Sequence, residues 1–252
     1  MLETVSLVFV ATGVTIDNAH TRCNMNRSFE RLNIVQQRIE KACISAGRQP
    51  NEVSLLAVSK KQPCEKIITF NALGVTSFGE NQLQEALQKQ RELSKLDLEW
   101  HFIGTVQSNK TRAIAENFQW VQSVDRQKTL TRLSAQRPEH LDPLNVCLQV
   151  NIDREPQKAG ASPEEIMQLA TLFEGLANIR LRGLMAIPRM TDIAEQQHAS
   201  FRKVKILFDE LQNTGHDIDT LSMGMSSDLE IAIAEGSTMV RIGTDLLGKR
   251  KT

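Results

Sequence analysis

Val53-Ser54-Leu55-Leu56-Ala57-Val58-Ser59-Lys60 reads as one buried strand: it is aliphatic, it alternates, and it closes on a lysine. A lysine at the C-terminal end of such a strand is placed to be a desolvated amine. Desolvation lowers an amine's pKa and suits it to forming a Schiff base with an aldehyde. Alternation puts Lys60 in phase with Leu56 and Val58 and sends Lys61 to the opposite side. The pattern alone leaves open which of the two faces the interior.

Working outward from that strand, helical and strand-like patterns alternate along the chain. A helix face of Ile34, Val35, Ile39 and Ala42 comes first, beginning after Met25, with Gly47 just past its end. After Lys60, Pro63 opens a helix reaching about Ala72. Strands are expected at Val75 to Phe78, Leu98 to Ile103, Trp120 to Val124 and Leu144 to Asn151. Three more are expected at Leu181 to Ile187, Thr220 to Met223 and Thr238 to Ile242. Between them lie helical runs at Asn81 to Leu93, Ser108 to Asn117, Gln127 to Gln136, one opened by Pro163, and Ala194 to Asn213. A last helix opens near Ser226 and Ser227, where Ser227 and Glu230 have capping-box spacing.

Strand and helix in strict alternation, eight times over, predict a single α/β domain of the (β/α)8 barrel type. An open doubly wound sheet would carry a glycine-rich first turn, and Ser59-Lys60-Lys61-Gln62 contains none. At 252 residues and 40% hydrophobic content the chain has the size and core of one barrel. Residues 1–24 read as an extension outside the fold and 25–252 as the barrel domain. Val5 to Val14 is apolar but too short to span a bilayer, and Glu3 stands where a signal peptide wants a base.

Thirty basic residues balance thirty acidic ones, which argues against a nucleic-acid surface. Lys249-Arg250-Lys251 reads as a solvated tail. Cys23, Cys43, Cys64 and Cys147 form no C-x-x-C pair, so no metal site is expected, and isolated thiols fit a cytoplasmic protein.

In a barrel of this type the active site lies at the C-terminal ends of the strands, and phosphate is often held after strands seven and eight. Here those loops are Gly224-Met225-Ser226-Ser227 and Gly243-Thr244, with Arg241 between them in sequence. Glycines admit an anion close to backbone N–H groups, and serine hydroxyls at a helix start add donors. Each feature alone reads equally as turn chemistry, and their joint placement favours a phosphate cradle.

Seven runs, in order, are similar to the pyridoxal-phosphate-homeostasis family, whose barrel is that of alanine racemase. They are Leu55-Leu56-Ala57-Val58-Ser59-Lys60, Phe78-Gly79-Glu80-Asn81, Trp100-His101-Phe102-Ile103-Gly104 and Gln107-Ser108-Asn109-Lys110. Further on come Arg182 to Pro188, Leu221 to Ser226 and Val240 to Thr244. The resemblance spans roughly residues 28–249 and implies a fold-type III barrel without the racemase's C-terminal β-domain. It implies pyridoxal 5′-phosphate (PLP) as cofactor, carried on Lys60 as an internal aldimine. Arg241 would face the pyridine nitrogen, Ser226, Gly243 and Thr244 would hold the phosphate, and Asn81, His101, Met185 and Ser222 would line the pocket. The implied role is vitamin B6 homeostasis by a monomer, with PLP itself and apo forms of PLP enzymes as partners, and neither nucleic acid nor membrane.

From the residues alone, His101 also reads as a core histidine, Asn81 as a helix cap, Met185 as packing and Lys158 as a loop lysine within reach as a second amine. Lys110 and Arg112 read as a solvated helix face. Arginine does not give up its proton, so an Arg241 partner leaves the ring nitrogen unprotonated and weakens carbanion stabilisation. The racemase's second base is a tyrosine, and this sequence has none. A PLP carrier without efficient turnover is therefore expected. A weak PLP-dependent racemase, with His101 or a cysteine as base, is the alternative, and an aldolase using Lys60 is a third reading.

Overall fold

The computed structural model describes residues 19–249. The expected extension lies outside the described residues up to residue 18, and the tail from residue 250 does so too. The first helix, α1 (Ala19–Ser45), starts ahead of Met25 rather than after it, and Met25 is itself buried. Eight strands follow: β1 (Ser54–Val58), β2 (Ser77–Glu80), β3 (Glu99–Phe102), β4 (Trp120–Val124), β5 (Leu144–Val150), β6 (Ile179–Ala186), β7 (Thr220–Ser222) and β8 (Met239–Ile242). They pair in sequence order, all parallel, and β8 closes back onto β1. The intervening helices are α2 (Cys64–Ala72), α3 (Leu83–Glu92), α4 (Thr111–Asn117), α5 (Gln127–Gln136), α6 (Pro163–Thr171), α7 (Ala194–Asn213) and α8 (Leu229–Ala234), and α9 (Thr244–Leu247) follows β8.

Strand alternation sorts the core into two layers. Ala57, Phe78, Phe102, Val121, Leu148, Leu184 and Val240 belong to one continuous cluster between strands and helices. Phe102 meets Phe118, just past the end of α4, edge-on at 5.3 Å. Burying side chains of this size contributes about 1.5–3 kcal/mol each. The alternate residues face the lumen, where Trp120, Cys147 and Met185 form a small separate cluster. His101, Gln122, Ser222 and Arg241 are also buried there, beside apolar Leu56 and Met239.

Local chemistry starts the helices where they are needed. Ser162 caps α6, its hydroxyl accepting from Glu165 N–H while Glu165 accepts from Ser162 N–H, with Pro163 at the first position. The Ser227–Glu230 box does not form. Instead α8 starts at Leu229 with Asp228 at its N-cap, and the Asp228 carboxylate accepts from Met225 N–H at 2.6 Å. α1 packs against α8 and α9, so it backs the loops that follow β7 and β8. Among the described residues no helix is long and apolar enough to cross a membrane.

Candidate functional site

Pairing of β1 ends at Val58, and Lys60 sits two residues on, in a turn at the C-terminal rim of the barrel. Ser59 N–H still donates to Gly79 O at 3.0 Å, and Gln62 N–H closes the turn onto Ser59 O at 3.0 Å. Lys61 adopts a left-handed conformation, φ 58°, which a residue with a Cβ rarely takes. That conformation swings Lys61 out to solvent and leaves Lys60 on the wall of a cavity of about 600 Å³.

The turn is mounted on buried charge. Lys89 of α3, 5% exposed, donates to Ser59 O at 2.8 Å, Glu80 Oε1 at 2.7 Å and Glu85 Oε1 at 2.6 Å. Glu80 Oε1 also accepts from Ser59 Oγ at 2.7 Å, and Glu85 Oε1 from Lys61 N–H at 2.6 Å. Burial pushes the Glu80 carboxyl above the usual carboxylate range, against the pull of Lys89 and Ser59.

Asn81, Lys110, Gln149, Lys158 and Met185 share the cavity wall with Lys60. Asn81 follows β2 directly and does not cap α3, whose N-cap is Gln82. Lys110 is therefore a cavity residue rather than part of a solvated face, whereas Arg112 is exposed as expected. Lys158 is held, with its amine 3.0 Å from Pro188 O and 2.7 Å from Glu155. Gly104 completes the wall under steric constraint, because a Cβ there would fall 2.2 Å from Asn81 O.

Beneath the cavity, His101, Ser222 and Arg241 belong to one hydrogen-bond chain that crosses the lumen. Arg241 Nη1 donates to Ser222 Oγ at 2.9 Å and Ser222 Oγ to Gln122 Oε1 at 2.8 Å. Gln122 Nε2 in turn faces His101 Nδ1 at 2.9 Å, and His101 Nε2 lies 2.9 Å from Glu99. This order assigns the imidazole proton to Nε2, with Nδ1 as acceptor. Burial lowers the His101 pKa and keeps the ring neutral. Hydrogen bonds from His101, Trp120 and Ser77 hold Glu99 down at about 2. Trp120 stacks on His101 with ring centroids 5.1 Å apart.

Arg241 further donates to Ser222 O at 2.6 Å and to Ala186 O at 2.9 Å. Its Nε–H and second Nη2–H take no acceptor among the described residues, so two donors remain for a ligand. Desolvation pushes its pKa down to about 10, which still leaves it charged at neutral pH.

Ser226 lies on the loop after β7, Gly243 follows β8 and Thr244 opens α9, and none of the three lines the cavity. Gly224 is required by its backbone: φ is 96°, and a Cβ would meet Ala232 at 2.7 Å. Gly243 has no such constraint, and a Cβ would come no closer than 3.5 Å to Val58 O. Two arginines of α1 clamp the loops from behind. Arg38 reaches Ser226 O at 2.8 Å, Glu230 at 2.7 Å and Asp245 at 2.8 Å, and Arg31 reaches Thr244 O at 3.3 Å.

A lysine on the cavity wall at the barrel rim thus stands above a guanidinium with N–H donors to spare. Residues 31–251 match the model for the N-terminal domain of alanine racemase. The pyridoxal phosphate homeostasis protein of Pseudomonas aeruginosa is 55% identical over 226 residues, covering 90% of this chain and 97% of that protein. The chain belongs to the pyridoxal phosphate homeostasis protein family. The Escherichia coli K12 member is 46% identical over 229 residues, 90% of this chain and 98% of that one. A solved relative, PipY of Synechococcus elongatus PCC7942 with PLP bound, is 38% identical with a TM-score of 0.74, over 83% of this chain and all of that one.

From sequence alone no role attaches to Gln122, Glu80, Lys89 or the α1 arginines. Gln122 stands in phase with Trp120 on β4, two residues on, which puts the two on one face of the strand. Arg31 and Arg38 lie seven apart, two helical turns, which places them on one stripe of α1. Only the i,i+4 spacing of Glu85 and Lys89 hints at the mount, and that spacing alone reads as a surface pair.

Proposed function

We propose that this protein binds PLP and carries or buffers it within vitamin B6 homeostasis, without efficient turnover of its own. The observation that carries the reading is Lys60 on the cavity wall at the barrel rim, above an Arg241 that keeps two N–H donors for a ligand. The PLP-bound relative PipY and the names of the curated relatives support it. Lys60 Nζ would hold the cofactor through its aldehyde carbon, the condensation releasing one water. Arg241 orients the ring through its nitrogen, and Ser226, Gly243 and Thr244 receive the phosphate. Asn81 and Met185 shape the pocket beside the lysine, and His101 and Ser222 support Arg241 from below.

Bound PLP supplies an electrophilic aldehyde and, when its ring nitrogen is protonated, an electron sink. Arg241 donates a hydrogen bond without transferring its proton, so the sink stays weak. Candidate bases are also committed elsewhere. Both nitrogens of His101 are hydrogen-bonded, and burial pushes the Cys147 thiol up to about 12. A positioned general base typically contributes about 10²- to 10⁴-fold, and these residues offer none toward the cavity. Delivery to apo forms of PLP enzymes is the corresponding partner proposal.

The test is PLP-loaded protein incubated with L- or D-alanine. Visible absorbance from bound cofactor with racemisation at background supports the carrier. Turnover that Lys60→Ala abolishes would replace it with the weak racemase.

A further inference from the structure

Nothing in the chemistry of the cavity requires a buried lysine on α3, yet Lys89 is 5% exposed and spends its amine on three acceptors around the Lys60 turn. Replacing a buried ion pair with apolar residues of similar volume is often neutral or stabilising, so global stability is a poor explanation for this one. Its geometry suggests another. Lys89 grips the carbonyl of the residue before Lys60, and through Glu85 it is joined to the N–H of the residue after Lys60. Glu80 grips the Ser59 hydroxyl, fully buried, while its Oε2 finds no partner among the described residues. The left-handed φ of Lys61 is a local cost that these contacts hold in place.

We infer that Lys89 and Glu80 are positioning residues: their buried pair fixes the Ser59–Lys61 backbone so that the Lys60 amine meets the aldehyde at bonding distance. The inference rests on the PLP reading above and assigns this pair a part in cofactor capture. Neither residue lines the cavity beside Lys60, so both act on the ligand only through the turn.

A ligand that lacks the aldehyde separates positioning from packing. 4′-Deoxypyridoxine 5′-phosphate keeps the ring and phosphate but cannot bond to Lys60. In the neutral double variant E80Q/K89M, PLP affinity should fall roughly 10- to 100-fold, the scale of a misplaced reacting group. Affinity for the deoxy analogue should stay within about twofold, since its contacts do not pass through the turn. In a Lys60→Ala background the same pair of changes should have no further effect on PLP. Glu85→Ala, a half-exposed site on the same network, should shift PLP binding in the same direction by less and serves if the double variant does not fold. Equal weakening of both ligands, or no change in either, overturns the inference while leaving the PLP reading intact. If Lys60→Ala leaves PLP affinity unchanged, the PLP reading fails and the inference falls with it.

Discussion

The two ends of the site are held in opposite ways. The Lys60 turn rests on Lys89 and Glu80, which are 5% and 0% exposed. The loops proposed as the phosphate cradle rest on Arg38, whose side chain is 28% exposed and pairs with carboxylates exposed by 48% and 40%. A buried charge pair resists salt and tolerates little change, whereas a half-exposed clamp is screened and forgiving. The difference suits the chemistry proposed for each end. A covalent bond needs one geometry, while a phosphate accepts several donors at once.

The largest test of this contrast is Lys89→Met alone. It strands the buried Glu80 carboxyl and should cost roughly 3–5 kcal/mol. For a chain of this length that is about 10 °C in melting temperature by thermal unfolding. The neutral E80Q/K89M pair should recover most of it. A single variant as stable as wild type would mean that the mount carries no strain when broken.

Next in size are Ser226→Ala and Thr244→Ala. Each should weaken PLP retention by about 1–3 kcal/mol in titrations, the range of a charge-assisted hydrogen bond. Pyridoxal without its phosphate should be insensitive to both. Equal losses for the two ligands would remove the cradle from these loops.

His101 adds a pH signature from the lumen between the two ends. Its folded pKa lies below the ordinary 6.5, so the unfolded chain binds a proton that the native state refuses. Stability from this burial is therefore complete above about pH 6.5 and is lost as pH falls below it, by up to about 1.4 kcal/mol per pH unit. Glu99, held down at about 2, extends the loss below its ordinary 4.5. His101→Gln should flatten the decline in melting temperature between about pH 6.5 and 5. An unchanged slope would show that His101 takes up its proton inside the fold.

Arg38→Ala should produce the smallest change, about 1 kcal/mol or less. It should also shrink toward zero at about 1 M salt, where the screening length falls to about 3 Å. The effect of Lys89→Met should persist at that salt. If both effects vanish together, the distinction between buried mount and exposed clamp is wrong.

The contrast also marks what could be read from sequence. The barrel was legible because aliphatic strands such as Leu144–Val150 alternate with amphipathic helices such as Ala194–Asn213. Lys60 was legible because it ends such a strand, yet only the turn geometry at Lys61 decides which of the two lysines faces the cavity. The cradle glycines read alike in sequence, although Gly224 is fixed by its φ and Gly243 is not. The Glu80–Lys89 pair was not legible. It joins a strand end to a helix face, and no local pattern reports which charges a fold will bury together. The order of the lumen chain, Arg241 to Ser222 to Gln122 to His101, likewise exists only once the closed barrel sets β7 and β8 across the lumen from β3 and β4.

The most direct measurement is intact mass and peptide mapping of PLP-loaded protein after borohydride reduction. The account predicts one phosphopyridoxyl group per chain, on Lys60, and none in Lys60→Ala. A group on Lys61, Lys110 or Lys158 in the wild-type protein, with Lys60 unmodified, would contradict it.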